Sequence, residues 1–351
     1  MTDNEKYSIK EWVEIKDNYR HSNLIIGNGA SITLHSKFGF SSLKAEAEKL
    51  KLFSEDISKL FVEFDTCDFE LILRLVWHAK LVNKHLGIVD PKIDSAYENI
   101  KQALIEVVKE VHCEHAQIVK QLPILYKFTK QFSTIVSLNY DLILHWIRMY
   151  GNEKNNDGHV FKDGFKNEGI IFDRWDYLKT PYYRRPYEKE ITRTFYQHGN
   201  LTLFRYANKV ERKVKRKDQS DLLEIIEKNW VDDNIPIFVA EGTSVKKMDA
   251  IRDSNYLSKV FYEILPEFLD DGKNLVIYGW GLGEQEHHLV KQIFKNKADG
   301  KVAISVFKND QDYCYRVKQL INKLNSKIEI EFLTVKVQAV GTIHEPVNNF
   351  V

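Results

Sequence analysis

Three short polar segments carry most of the chemistry this chain can offer: Gly27-Asn28-Gly29-Ala30-Ser31, Asn139-Tyr140-Asp141 and His198-Gly199. Glycines allow a tight turn and let backbone N–H groups approach a phosphate, and Ser31 adds a hydroxyl. Asn139 and Asp141 lie two apart and face one side of an extended chain. An amide beside a carboxylate suits sugar hydroxyls and a water. A histidine with glycine giving room beside it suits a base that touches a ligand. Each segment also has a plain structural reading. The first is a turn, the second caps a helix and complements its dipole, and the third is a partly buried histidine bonded to backbone.

Two further turns are rich in glycine. Tyr278-Gly279-Trp280-Gly281-Leu282-Gly283 suits the second half of a dinucleotide, and Glu241-Gly242-Thr243-Ser244 presents two hydroxyls. Again the alternative is an ordinary turn.

These segments need strands to hold them. Apolar or β-prone runs precede every one: residues 23–26, 133–138, 192–197, 235–239 and 274–278. In a doubly wound sheet, ligands bind outside the carboxyl ends of the strands. Helical patterns at 142–147, 221–229, 255–269, 285–295 and 311–325, with strands at 302–307 and 328–338, complete an alternation that predicts parallel βαβ units. Residues 41–130 differ in character. Asp68 precedes a dense apolar run, and Ile100, Ala103, Leu104, Val107, Val108 and Val111 repeat with helical spacing. That stretch predicts three to five helices as an insertion or cap. Residues 151–190, with Gly151, Gly158, Gly164, Pro181 and Pro186, predict loops with room for a hairpin. Within them Asp163-Gly164-Phe165 is a candidate lid, or a turn before an anchoring phenylalanine. The expected fold is one α/β domain over 1–351, a Rossmann-like doubly wound parallel sheet with a large helical insertion.

Composition narrows the function classes. Of 351 residues, 43% are hydrophobic and 29% charged, and 51 Lys and Arg against 50 Asp and Glu leave a net charge of +1. That balance gives no global attraction to nucleic acid or membrane. The basic run from Lys209 to Lys217 is a local exception, read as a solvated mobile loop or as a contact for nucleic acid or an acidic partner. Cys67, Cys113 and Cys314 are too few and too scattered for a disulfide framework or a four-cysteine zinc site. Glu284, Glu286, His287 and His288, like His112, Cys113 and His115, resemble incomplete metal sets, and solvated helix faces are the expected outcome. No apolar run reaches spanning length, and the polar start from Met1 to Lys6 lacks a signal-peptide core, so the expected location is cytoplasmic.

Taken in order, the motifs resemble the Sir2-like (sirtuin-fold) NAD-binding family, and more closely its bacterial branch without the zinc module. The sirtuin pattern G-A-G-x-S is matched by Gly27-Asn28-Gly29-Ala30-Ser31 except at its second position. A T-x-N-x-D segment is matched by Ser137-Leu138-Asn139-Tyr140-Asp141, with serine for threonine. The family's His-Gly is matched by His198-Gly199. Its later G-T/Y-S turn is matched loosely by Gly279-Trp280-Gly281, where the serine is missing.

The resemblance implies NAD as substrate, with no metal. It implies that Gly27, Gly29 and Ser31 hold the pyrophosphate and that Asn139 orients the ribose and an attacking water. It also implies that Asp141 supports the nicotinamide pocket or the ribose, and that His198 is the general base. Family deacylases bind acyl-lysine beside a zinc ribbon that this chain cannot build. Water is therefore the expected acceptor, and the expected products are nicotinamide and ADP-ribose. Relatives of this kind resemble NAD-depleting effectors of anti-phage defence. Such effectors are restrained by self-assembly or by a partner such as a nucleotide-driven ATPase or an Argonaute-like protein. The competing readings are a non-catalytic subunit that binds NAD or ADP-ribose, a deacylase or ADP-ribosyltransferase, and a nucleic-acid-binding defence subunit that uses 209–217.

Overall fold

The computed structural model describes residues 6–39, 42–153, 157–166, 170–171, 190–205, 210–214, 226, 234–238, 243–295 and 299–334. In chain order the strands are β1 (Ile9–Lys10), β2 (Asn23–Ile26), β3 (Thr134–Ser137), β4 (His159–Lys162), β5 (Phe165–Lys166), β6 (Ile170–Ile171), β7 (Glu190–Tyr196), β8 (Gly199–Arg205), β9 (Glu211–Lys213), β10 (Ile235–Phe238), β11 (Leu275–Tyr278), β12 (Gly300–Val306) and β13 (Ile328–Thr334).

Eight of them form one sheet in the order β1-β13-β12-β11-β2-β3-β7-β4. Every neighbouring pair in it is parallel. Leu24, Ile25, Ile135, Val136, Val276, Ile277, Ala303 and Ile304 are fully buried, as strands covered on both faces must be. The architecture is therefore α/β, a large parallel sheet flanked by helices, as a Rossmann-like fold requires.

Register sets the site. Tyr278 pairs with Ile26, Ile26 with Ser137, and Ser137 with Tyr196. The last residues of β11, β2, β3 and β7 thus stand in one row, and the turns at their carboxyl ends emerge along one edge. The chain leaves β2 toward β3 on one side, while β11 lies against β2 on the other. The strand order reverses at this point, which opens a crevice between the two carboxyl ends.

The crossover from β2 to β3 is helical, as expected. After helix Asn28–Leu34 come Leu43–Lys49, Glu55–Glu63, Phe69–Leu86, Pro91–Val111, His115–Ile118 and Leu122–Thr129, one more helix in 41–130 than the upper expectation. The added one is a single turn, too short for periodicity to reveal. Local chemistry starts three of the others: Ser42 and Ser54 accept amides of the first turn, and Asp90 caps a helix whose first residue is Pro91.

One expectation is corrected. Ile235–Phe238 is not part of the parallel sheet. It pairs antiparallel with β8 in a second, five-stranded sheet of order β10-β8-β9-β6-β5. A short apolar run reads the same whichever sheet holds it. The segment 151–190, expected as loops with a hairpin, contributes β4 to the parallel sheet and the antiparallel pair β5–β6 to the second one. Two hydrophobic cores result. One lies about the parallel sheet. The other joins the crossover helices to Leu201, Phe204 and Phe238 of the second sheet. No helix among the described residues is long and apolar enough to cross a membrane. The predicted helix 221–229 lies outside the described residues, apart from Ile226.

Candidate functional site

The two glycine turns at the crevice interlock. Gly27 N donates to Tyr278 O (2.9 Å), Gly29 N to Gly279 O (2.8 Å), and Ala30 N to Gly27 O (3.0 Å). A Cβ on Gly27 would lie 2.6 Å from Gly279 O, and one on Gly279, whose φ is +69°, 2.2 Å from Ala30 N. Glycine is needed at both positions so that the backbones can touch. The expected use of these amides needs correcting: the N–H groups of Gly27, Gly29 and Ala30 are spent on protein carbonyls. Gly281 is different, because a Cβ there meets open space.

Behind this turn stands a buried polar wall. Ser31 Oγ donates to Asp141 Oδ2 (2.5 Å) and accepts from Asn139 Nδ2 (2.9 Å), which also donates to Gly27 O (3.1 Å). Asp141 Oδ1 accepts the amide of Ile143 (2.9 Å), at the start of helix Ile143–Glu153. Helix capping and site wall are thus one device, and the capping falls to Asp141 rather than Asn139. Burial raises the Asp141 pKa, opposed by the bonds from Ser31, the Ile143 amide and Asn139. Both amide hydrogens of Asn139 are used. Its Oδ1 accepts no bond among the described residues and is left for an occupant.

The segment is clamped from the second sheet. Asn200 Nδ2 donates to the carbonyls of Tyr140 (3.2 Å) and Asp141, Leu201 N donates to Tyr140 O (2.9 Å), and Tyr140 stacks on Phe238 with centroids 5.2 Å apart. His112 lies beneath. Its Nε2 accepts the amide of Leu142 (3.0 Å), while Nδ1 meets Cys113 O at 2.7 Å. His112 is therefore a backbone support and not half of a metal pair.

His198 occupies the two-residue link between β7 and β8, that is, between the two sheets. Gly199 follows at φ +76°, and a Cβ there would lie 2.1 Å from Ile237 O. His198 Nδ1 bonds Leu138 O at 3.0 Å, which fixes the hydrogen on Nδ1 and leaves Nε2 as an acceptor. Nε2 is buried without a partner among the described residues. Burial, then the charge of Lys247 and then His288, hold the His198 pKa well below its ordinary value, so the ring is neutral at pH 7.

These groups line a cavity of about 480 Å³. Gly27, Asn28, Gly29, Asn139, Asp141, His198, Gly279, Trp280 and Gly281, all expected from sequence, are brought together there. Lys247 and Glu286 also line it, and neither was expected. Lys247 Nζ stands 3.4 Å from Glu286 Oε1, which is 3.8 Å from His198 Nδ1, and Glu286 Oε2 accepts the Trp280 indole N–H. Ala30 and Ser31 face a neighbouring apolar cavity of about 390 Å³, which shares Asn139 and Asp141. A third cavity, also about 390 Å³, continues past Gly29 and Gly279–Gly281 to Ser305, Phe307, Asp310 and Tyr313.

The remaining expected residues fall elsewhere. Gly242 lies outside the described residues. Thr243 caps helix Ser244–Asp253, and Ser244 Oγ bonds His288 Nδ1 at 2.9 Å. Neither lines the cavity, although Lys247 does so one turn further along the same helix. Glu286 and His288, expected on a solvated face, are both partnered. The basic run is corrected in part. Arg212 and Lys213 belong to β9, and buried Lys213 bonds Asp163 at 2.5 Å, where Arg148 also pairs. Asp163 is thereby tied into the fold. No group of three or more His, Cys, Asp or Glu suited to a metal ion occurs among the described residues.

Residues 24–340 match a family described as a domain of unknown function (DUF4917), and the chain belongs to that family. No curated protein matches it.

Proposed function

We propose that the 480 Å³ cavity binds NAD and hydrolyses its nicotinamide–ribose bond, the activity that the Sir2-like resemblance implies. One observation carries this reading: a neutral imidazole with a free Nε2 and an amide with a free Oδ1 share a cavity at the switch point of a parallel sheet. That is the place and the equipment for a sugar-centred substitution with water. The third cavity supports a long ligand. It adjoins the first at Gly29 and Gly279–Gly281 and exposes the ring of Phe307, a surface on which an adenine can stack.

In this reading NAD and water give nicotinamide, ADP-ribose and a proton. The C1′–nitrogen bond breaks, and the bonding pair leaves with nicotinamide. Positive charge develops on the ribose, and water adds to C1′. His198 Nε2 takes the water's proton, and Asn139 Oδ1 accepts from a ribose hydroxyl or from the water itself. Asp141 acts mainly through Ser31 and Asn139, because both its oxygens already accept bonds. The same reading makes the protein an NAD-depleting effector of anti-phage defence, held inactive by self-assembly or a partner.

The test is nicotinamide release, measured with purified protein and again in cells under phage infection, where any activator is present. Loss of release in both His198→Ala and Asn139→Ala is the expected result. Full release in either folded variant overturns the mechanism.

A further inference from the structure

The amides of Gly27, Gly29, Ala30 and Gly279 are spent within the protein, and among the described residues that line the cavity Lys247, only 5% exposed, is the one buried cation. Its counter-ion is poorly placed. Glu286 Oε1 is 3.4 Å away, against about 2.8 Å for a well-formed charged hydrogen bond. The same carboxylate is drawn off on its other side by the Trp280 indole. A buried ammonium is costly unless closely paired, and the three donors on Lys247 face a single loose acceptor among the described residues.

We infer that Lys247 is the anion receptor of this cavity, taking a phosphate group of the ligand, and that Glu286 is a stand-in acceptor which the phosphate displaces. The inference deepens the NAD reading by naming the contact to the pyrophosphate, and it moves that contact away from the Gly27–Ser31 turn. The ligand class it requires is a nucleoside diphosphate or its ester. Three features agree with it. Lys247 projects from the first turns of helix Ser244–Asp253, whose start is fixed by the Thr243 cap. Glu286 comes from a separate turn, Glu284–Glu286, so the two can part without unfolding either element. Asn139 and His198 line the same cavity as Lys247, so one ligand can present a ribose to the first two and a phosphate to the third.

The experiment measures calorimetric binding of inorganic pyrophosphate and of ADP-ribose to the full chain and to three variants, each with a melting curve. Lys247→Met weakens both probes about ten- to a hundredfold, Lys247→Arg restores most of that loss, and Glu286→Gln tightens both by removing the competitor. A folded K247M that binds both probes as the parent does overturns the inference, as does a parent chain that binds neither. If K247M does not fold, E286Q decides: tighter binding supports the stand-in role and unchanged or weaker binding removes it. Lys247-dependent binding without nicotinamide release under any activating condition leaves the anion receptor standing and removes the hydrolase reading. Release that persists undiminished in K247M does the reverse.

Discussion

The two sheets treat their chain ends in opposite ways. In the parallel sheet, β11, β2, β3 and β7 stop in one row, and each hands over to a turn that bears glycine or a polar side chain. In the antiparallel sheet the described strands line none of the site's cavity. β8 and β10 instead supply Asn200, Leu201 and Phe238, which grip the carbonyls and the ring of Asn139-Tyr140-Asp141. One layer presents reactive groups and the other aims them. A site that relies on two hydrophobic cores loses its geometry when either one shifts, even though only one of them carries the chemistry.

That division of labour can be broken in graded ways. The largest effect is expected at the interlocked turns. Gly279→Ala places a Cβ 2.2 Å from a backbone nitrogen at a positive φ, and should cost more than about 3 kcal/mol or abolish folding in a denaturant melt. Gly281→Ala, two residues on and facing open space, should change stability by less than about 0.5 kcal/mol. Equal effects would mean that the turns do not interlock. Next comes His198→Ala, which should lower nicotinamide release by about 10²–10⁴-fold with a near-native melt. Asn139→Ala should match it in activity and lose about 1–3 kcal/mol as well, because Gly27 O and Ser31 lose their donor.

The clamp separates the two layers most directly. Asn200→Ala removes donors to the Tyr140 and Asp141 carbonyls and should cost about 1–3 kcal/mol while also reducing kcat. If kcat survives the lost stability, the second sheet supports the fold without aiming the site. The smallest effect is a displaced pH profile. Lys247, Glu286, His288 and Asp141 surround His198, and burial, Lys247 and His288 depress its pKa well below 6.5. The base is active when neutral, so turnover should stay level as pH falls through 6.5 and decline only in more acid solution. Lys247→Met should move that decline back toward neutrality. The stability consequence has the same origin. His288 is held at about 4, first by burial and then by Lys247. Below pH 6.5 His198 and His288 bind more protons in the unfolded chain than in the folded one, so the stability they contribute should be lost as pH falls from 6.5 toward 4, against the opposite contribution of Asp141, whose pKa burial raises.

Much of the chemistry-bearing edge was legible because glycine and polar residues follow short apolar runs there, and a strand end is a local signal. The strands at 23–26, 134–137 and 275–278 and the helical crossover emerged from spacing alone. The second sheet did not, for its strands are short and their pairing is set by distant neighbours. Ile235–Phe238 carries no mark of whether its partner is parallel or antiparallel. The candidate site was legible where one segment holds several of its groups. Lys247 has no mark in the sequence, and Glu286 reads there as a solvated helix charge, because only tertiary packing brings them within reach of one another. His112 also departs from the solvated face expected of it, since the ring is buried and occupied with the backbone of Leu142.

The position of His198 on a two-residue link between the sheets has a mechanical consequence. A ring fixed at such a seam moves whenever one sheet tilts against the other, with no flexible segment to absorb the motion. A shift of the second sheet would therefore pull at the bond to Leu138 O and at the cavity lining together, through a single residue.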